Sequence, residues 1–177
     1  MATTNWILDP AHSEIQFKIK HLMITTVTGQ FKKFDVTATA EDNDFSTSKI
    51  NLTIDIDSIS TNNDDRDGHL KSADFFDIAT YPQIIFHSTS IEKDGDDLLI
   101  NGELDMHGVK KPVTLNAEFG GIVVDPYGHT KAGFTVHAKF NRKDFGLVWG
   151  AVTEAGNVVL SDEVRLNAEI QLVHQAS

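Results

Sequence analysis

Along most of the chain, apolar and polar residues alternate one by one, the pattern of a strand with one dry and one wet face. Ile15, Phe17 and Ile19 alternate with Gln16, Lys18 and Lys20. Residues 25 to 39 keep the alternation through Val27, Gly29 and Phe31 and then change phase to Phe34, Val36 and Ala38. A bulge or sharp bend is therefore expected near Lys32 and Lys33. Ile50, Leu52, Ile54 and Ile56 set against Asn51, Thr53, Asp55 and Asp57 form the clearest two-faced strand. Residues 83 to 91 and 98 to 104 read as a hairpin joined at Asp94 and Gly95, and His107 with Gly108 marks another tight turn. Val113, Leu115, Ala117 and Phe119 make the next dry face, followed by a turn at Pro126 to Gly128. Ala132, Phe134, Val136, Ala138 and Phe140, then Val164, Leu166, Ala168, Ile170 and Leu172, complete the set.

The stretch DDRDGHLKSADFFDIATYPQIIF, residues 64 to 86, breaks this rhythm. Asp64 and Asp65 suit a helix start, Leu70, Ala73 and Phe76 recur at helical spacing, and Pro82 stops the run. One short amphipathic helix is predicted, with only sheet to pack against, as a plug or lid. The whole is an all-β chain of about eight antiparallel strands. An open sheet of that size exposes two edges and a wide apolar face, so closure into a barrel is the economical solution, with a sandwich as the alternative. An eight-stranded barrel is either filled by its own side chains or holds one small ligand.

Composition narrows the function classes. The 177 residues divide at no Pro/Gly/Ser-rich tract, so residues 1 to 177 are expected to form one domain. With 26 acidic against 15 basic residues, the net charge of −11 repels nucleic acid and anionic membranes. No apolar run is long enough for stable membrane insertion, and the first residues, MATTNWILDP, do not read as a signal peptide. A cytoplasmic location is expected, or a periplasmic one if a leader has been removed. The absence of cysteine excludes disulfides and thiolate chemistry.

The candidate chemistry is sparse. His129 and His137 share a strand face, but eight residues of strand separate them by about 26 Å, too far for one ion. His69, His87 and His107 can meet only through the fold. The acidic residues lack calcium-loop spacing, and no hydrolase elbow, phosphate loop or dinucleotide fingerprint occurs. No catalytic residue, metal or cofactor is expected. Arg66, Asp67, His69, Lys71 and Asp74 place charge beside Leu70, Phe75 and Phe76. They read either as a polar mouth for a ligand head group or as an ion-pair network fixing the helix on the barrel. Arg142 and Asp144 carry the same two readings.

Taken together these segments resemble the YceI family, polyisoprenoid-binding proteins with a lipocalin-like barrel, from Trp6 to about Leu172. The resemblance rests on Ser58-Ile59, Thr61, Arg66-Asp67, His69 to Ser72, Asp74 to Asp77 and Tyr81-Pro82 in the family's order. Trp6, Asp9, His12-Ser13, Phe17, Gly29 and Phe31 match before it. Gly102, Leu104, His107 to Val109, Pro112-Val113, Arg142 and Asp144 to Gly146 match after it. Asp105 and Lys110 depart from the family's usual threonines. The resemblance implies a hollow lipocalin-like barrel that binds, carries or stores an isoprenoid or other long-chain lipid, often as a homodimer and without catalysis. The expected wall residues are Phe17, Ile19, Phe31, Leu52, Ile54, Leu70, Phe75, Phe76, Phe86, Leu104, Leu115, Phe134, Val136 and Leu166. Arg66, His69, Arg142 and Asp144 are expected at the mouth. Two rival expectations are a lipid-modifying enzyme using His69 or His107, and a structural or stress-response module with a filled barrel.

Overall fold

The structure, a computed structural model, describes residues 2–148 and 160–175. Among the described residues, eleven strand segments form one antiparallel sheet that closes on itself. They are β1 (Thr3–Leu8), β2 (Glu14–His21), β3 (Thr25–Phe31), β4 (Phe34–Glu41), β5 (Asp44–Asp55), β6 (Ile59–Ser60), β7 (Gln83–Asp94), β8 (Asp97–Met106), β9 (Val109–Val124), β10 (Thr130–Asn141) and β11 (Leu160–Gln175). Six of the segments are halves of three long, bent strands: β1 with β2, β3 with β4, and β5 with β6. Counted that way the sheet is an eight-stranded up-and-down barrel. It closes where β11 pairs with both halves of the first strand, Leu172 opposite Leu8 and Leu166 opposite Phe17.

Each bend has a local cause. The phase change falls at Lys32 and Lys33, between β3 and β4, where Val27, Gly29 and Phe31 give way to Val36, Ala38 and Ala40 as the inward residues. The Lys33 amide donates to Ser58 Oγ at 2.9 Å, and the Asp55 amide donates to the Lys33 carbonyl at 3.0 Å, so the bends of neighbouring strands brace each other. Between β1 and β2 a 3₁₀ turn at Pro10–His12 is capped by Asp9, whose carboxylate accepts from the Ala11 amide. Ser13 Oγ meanwhile accepts from the Gln171 amide at 3.0 Å, keeping the interrupted strand joined to β11. The turns at Gly95 and Gly128, and the His107-Gly108 pair, all take positive φ, as tight hairpin connections require.

The helix corrects the sequence reading. α1 (Asp64–Lys71) is capped by Asn63, whose side chain accepts from the Arg66 amide at 3.0 Å, and it ends before Ala73. It is not amphipathic: Asp67 is its one buried residue, and Leu70 alone supplies aliphatic surface. Phe75 and Phe76 lie in the turns that follow, folded back so that the Phe76 amide donates to the Leu70 carbonyl at 3.0 Å. Polar anchoring replaces the expected apolar stripe. Asp67 accepts from the Thr61 amide at 2.8 Å and from its hydroxyl at 2.5 Å, tying α1 to the strand end it follows.

The inward side chains differ along the barrel axis. At one end Trp6, Phe45, Phe119 and Phe134 stack with ring centroids 5.0 to 5.7 Å apart, and Ala38, Ala117 and Ala132 leave room for them. At the other end the walls are mostly aliphatic, and α1 with its following turns lies across the opening.

Candidate functional site

The aliphatic half encloses a cavity of about 380 Å³, within the usual range of roughly 300 to 1,000 Å³ for small-molecule sites. Phe17, Ile19, Phe31, Leu52, Ile54, Phe86, Leu104, Leu115, Val136 and Leu166 face it from the strands, and Leu70, Phe75 and Phe76 face it from the helix and its turns. Phe134 does not reach it. One step further down its strand, it joins the aromatic stack and lines a separate space of about 70 Å³. The hollow expected of the barrel is thus confined to one half, because rings from β1, β5, β9 and β10 pack together at the other.

Two of the wall aromatics depend on glycine. A Cβ on Gly29 would sit 2.2 Å from the tip of the Phe17 ring, and one on Gly102 would sit 2.5 Å from that of Phe86. Each ring lies flat across a bare stretch of the neighbouring strand and leaves the axis open. Phe17, Phe31 and Phe76 then form a belt beneath the mouth, with centroids 5.3 and 6.3 Å apart in turn.

At the mouth stand Thr61, Arg66, His69, Lys139 and Arg142, and no carboxylate among the described residues lines the cavity. Against a net charge of −11 for the chain, this rim is locally basic. Arg66 donates from Nε to Thr61 Oγ1 at 2.8 Å and from Nη2 to the Thr61 carbonyl at 2.6 Å. Thr61 thereby joins Arg66 to Asp67, so one network both lines the opening of the cavity and anchors the helix. Arg142 is only 3% exposed and donates to the carbonyls of Ser161 at 3.0 Å and Leu147 at 2.7 Å. Burial lowers its pKa from the ordinary arginine value, and Asp162 opposes the shift.

Asp144 is displaced from its expected place at the mouth. It is exposed in the 3₁₀ turn Arg142–Phe145, a geometry that turns Arg142 and Phe145 inward and leaves the residues between them in water. His69 lies at the mouth with Nε2 2.9 Å from Asp74. His107 sits in the turn between β8 and β9, its Nδ1 3.0 Å from the Phe145 carbonyl, away from the cavity wall. His87 is on the outer face near Glu103. The three histidines do not converge.

The sequence reading also missed wall residues. Val27, Ala138 and Phe140 share the alternation of residues that were recognised, so the signal was available. Leu147 had none. It enters the wall because Gly146, at φ 73°, reverses the chain after the 3₁₀ turn.

The model of the YceI-like domain matches residues 6–172. The chain belongs to this family. It is 43% identical over 164 residues to the YceI protein of Escherichia coli, covering 93% of this chain and 83% of that one. The YceI protein of Salmonella newport is 42% identical over the same shares. Among solved structures, the Campylobacter jejuni YCEI protein superposes with a TM-score of 0.77 at 34% identity, covering 90% of this chain and 91% of that one. Burkholderia cenocepacia BcnA reaches 0.80 at 22% identity, over 93% and 98%. A polyisoprenoid binding domain from Saccharophagus degradans, implicated in plant cell wall breakdown, reaches 0.68 at 19%, over 96% and 98%. The last two show likeness of fold.

Proposed function

We propose that this YceI-family chain binds a polyisoprenoid or another long-chain lipid, tail first, in the aliphatic half of its barrel, and so carries or stores it. The observation that carries this reading is the cavity itself: about 380 Å³ with almost entirely apolar walls, blind at the aromatic end and open toward a basic rim. The polyisoprenoid binding domain that shares the fold supports it. Each methylene taken from water contributes about 0.8 kcal/mol before ordering costs, so a tail of ten carbons contributes about 8 kcal/mol without a head-group contact. Affinity then comes from the tail, and Arg66, Lys139 and Arg142 act on the head only where it emerges.

Organic extraction of the purified protein followed by mass spectrometry tests this reading. A lipid that co-purifies, or one taken up on addition, is the expected result. An extract free of lipid together with no uptake of any added isoprenoid or fatty acid overturns it.

A further inference from the structure

The hairpin of β2 and β3 differs in charge from the rest of the chain. Residues 15–34 hold Lys18, Lys20, Lys32 and Lys33 and none of the 26 acidic residues. Register adds to this: Lys139, Arg165 and Lys18 stand side by side across β10, β11 and β2, three cations on neighbouring strands. Like charges directly opposite one another destabilise a sheet. Glu163 offsets Arg165 at 3.4 Å, whereas Lys18, Lys20 and Lys139 are exposed and have no ion pair among the described residues. The tip of the same hairpin is apolar. Leu22 and Met23 form its two-residue turn, closed by the Ile24 amide donating to the His21 carbonyl at 3.1 Å, and both take positive φ, 52° and 58°. Asparagine and glycine suit such a turn, and bulkier side chains strain it. Core burial does not compensate that strain, since Met23 is 55% and Ile24 77% exposed. The tip stands at the mouth end, where Ile19 and His21 behind it line the cavity.

We propose that this hairpin docks the mouth of the barrel on a bilayer surface bearing anionic headgroups, with Leu22, Met23 and Ile24 inserted and Lys18, Lys20 and Lys139 facing the headgroups. This goes beyond the lipid-binding reading and is tested apart from it. The dimensions fit. An apolar element at a membrane interface sinks about 5 to 10 Å, and Lys20 lies two to three residues, roughly 7 to 10 Å, behind the tip. Lys20 therefore reaches headgroup depth. Lys18 and Lys139 follow about 7 Å further back, within the Debye length of about 8 Å at physiological salt. The same screening hides the carboxylates on the far side of the barrel, so the net charge of −11 does not forbid the approach. The closed end also exposes apolar side chains, Val123, Val124 and Tyr127. There Lys131 is paired with Asp9 and Asp125, and no unpaired cation accompanies the patch as at the hairpin.

The test is flotation of the full chain with vesicles of phosphatidylcholine alone and of phosphatidylcholine with about one-third phosphatidylglycerol. The wild type floats with the anionic vesicles, weakly and reversibly, and less as salt rises from about 0.15 M to about 0.5 M. Lys18→Gln combined with Lys20→Gln lowers binding to anionic vesicles about tenfold. Leu22→Asn combined with Met23→Gly lowers it about fivefold or more while raising the melting temperature, because it installs the favoured turn and removes the apolar tip; a loss in that variant is not a loss of fold. Tyr127→Ser, at the closed end, binds as the wild type does. Failure of the wild type to float with anionic vesicles overturns the docking, as does wild-type flotation by both hairpin variants. A concentration-dependent dimer that the tip variant abolishes, without vesicle binding, assigns the hairpin to a second copy of the chain and also overturns it. Each of these results leaves the lipid-binding reading in place, since uptake of added lipid reads the cavity alone.

Discussion

The two ends of this barrel carry the same inward alternation and reach opposite outcomes. At the aromatic end, inward rings contributed by β1, β5, β9 and β10 meet on the axis, and small residues at Ala38, Ala117 and Ala132 let them interlock. At the mouth end aliphatic side chains stop short of one another, and Phe17 and Phe86 lie flat over Gly29 and Gly102. The difference lies in the volume pointed at the axis, since the period is the same throughout. One end therefore holds the fold together, and the other leaves room for a guest.

Truncations at matched positions break the comparison most sharply. Trp6→Ala, which removes a side chain only 1% exposed, should cost about 3 to 5 kcal/mol by loss of burial and by the void left behind. Leu166→Ala should cost less than about 2 kcal/mol, because its side chain already faces a void and only the transfer loss applies, yet it should weaken lipid uptake. Urea unfolding and a lipid-binding titration on both variants read the contrast; equal losses of stability would mean that the mouth half is packed as tightly as the other.

The polar anchor comes next. Asp67→Ala leaves the Thr61 amide and hydroxyl without their acceptor, for a loss of about 1 to 3 kcal/mol. The damage should be concentrated in α1 and its following turns, so hydrogen exchange should rise there while β9 to β11 stay protected. A uniform rise across the barrel would contradict a local anchor.

Gly29→Ala is expected to act on the guest more than on the fold. The new methyl group meets only the far end of the Phe17 ring, so the ring should swing into the cavity. Lipid affinity should fall several-fold, with a stability loss of about 1 kcal/mol, at the low end for overpacking because the ring has a cavity to move into. Unchanged uptake would show that the ring finds another place.

The smallest effect belongs to the ionic cluster at the aromatic end. Lys131 is paired with Asp9 and lies 3.7 Å from Asp125, with His12 and His129 beside them. The hydrogen bond from Lys131 holds the Asp9 carboxyl below its ordinary pKa of 3.8. Asp125 is lowered by hydrogen bonds from backbone amides, that of His129 first. Because the folded values are depressed, this contribution is complete above 3.8 and drains away as pH falls below it. Asp9→Asn should flatten the acid side of a plot of melting temperature against pH; an unchanged slope would assign the acid sensitivity elsewhere.

Much of this was legible in the chain. The inward sets 15/17/19, 50/52/54/56 and 164 to 172 were read from alternation, and the bend at Lys32 and Lys33 from a change of phase. Local pattern misled where long-range contacts override it. Helical spacing at Leu70, Ala73 and Phe76 pointed to an amphipathic helix, whereas Asp67 and Thr61 fasten a polar one and the chain reverses after Lys71. Asp144 follows Arg142 by two residues and lies on the opposite side of a 3₁₀ turn, which spacing read as strand or loop does not reveal. Phe134 and Val136 share one face of one strand, yet only Val136 reaches the main cavity.

The order of residues along the chain was sufficient for the inward faces and for the need to cover them, because a period of two allows one dry side per strand; that the cover is a closed barrel and not a second sheet was decided by the pairing of β11 with β1 and β2. Whether the enclosed space is filled was settled only in three dimensions. That depends on which rings arrive at the same height from strands far apart in sequence, and height is set by register and bends around the whole barrel.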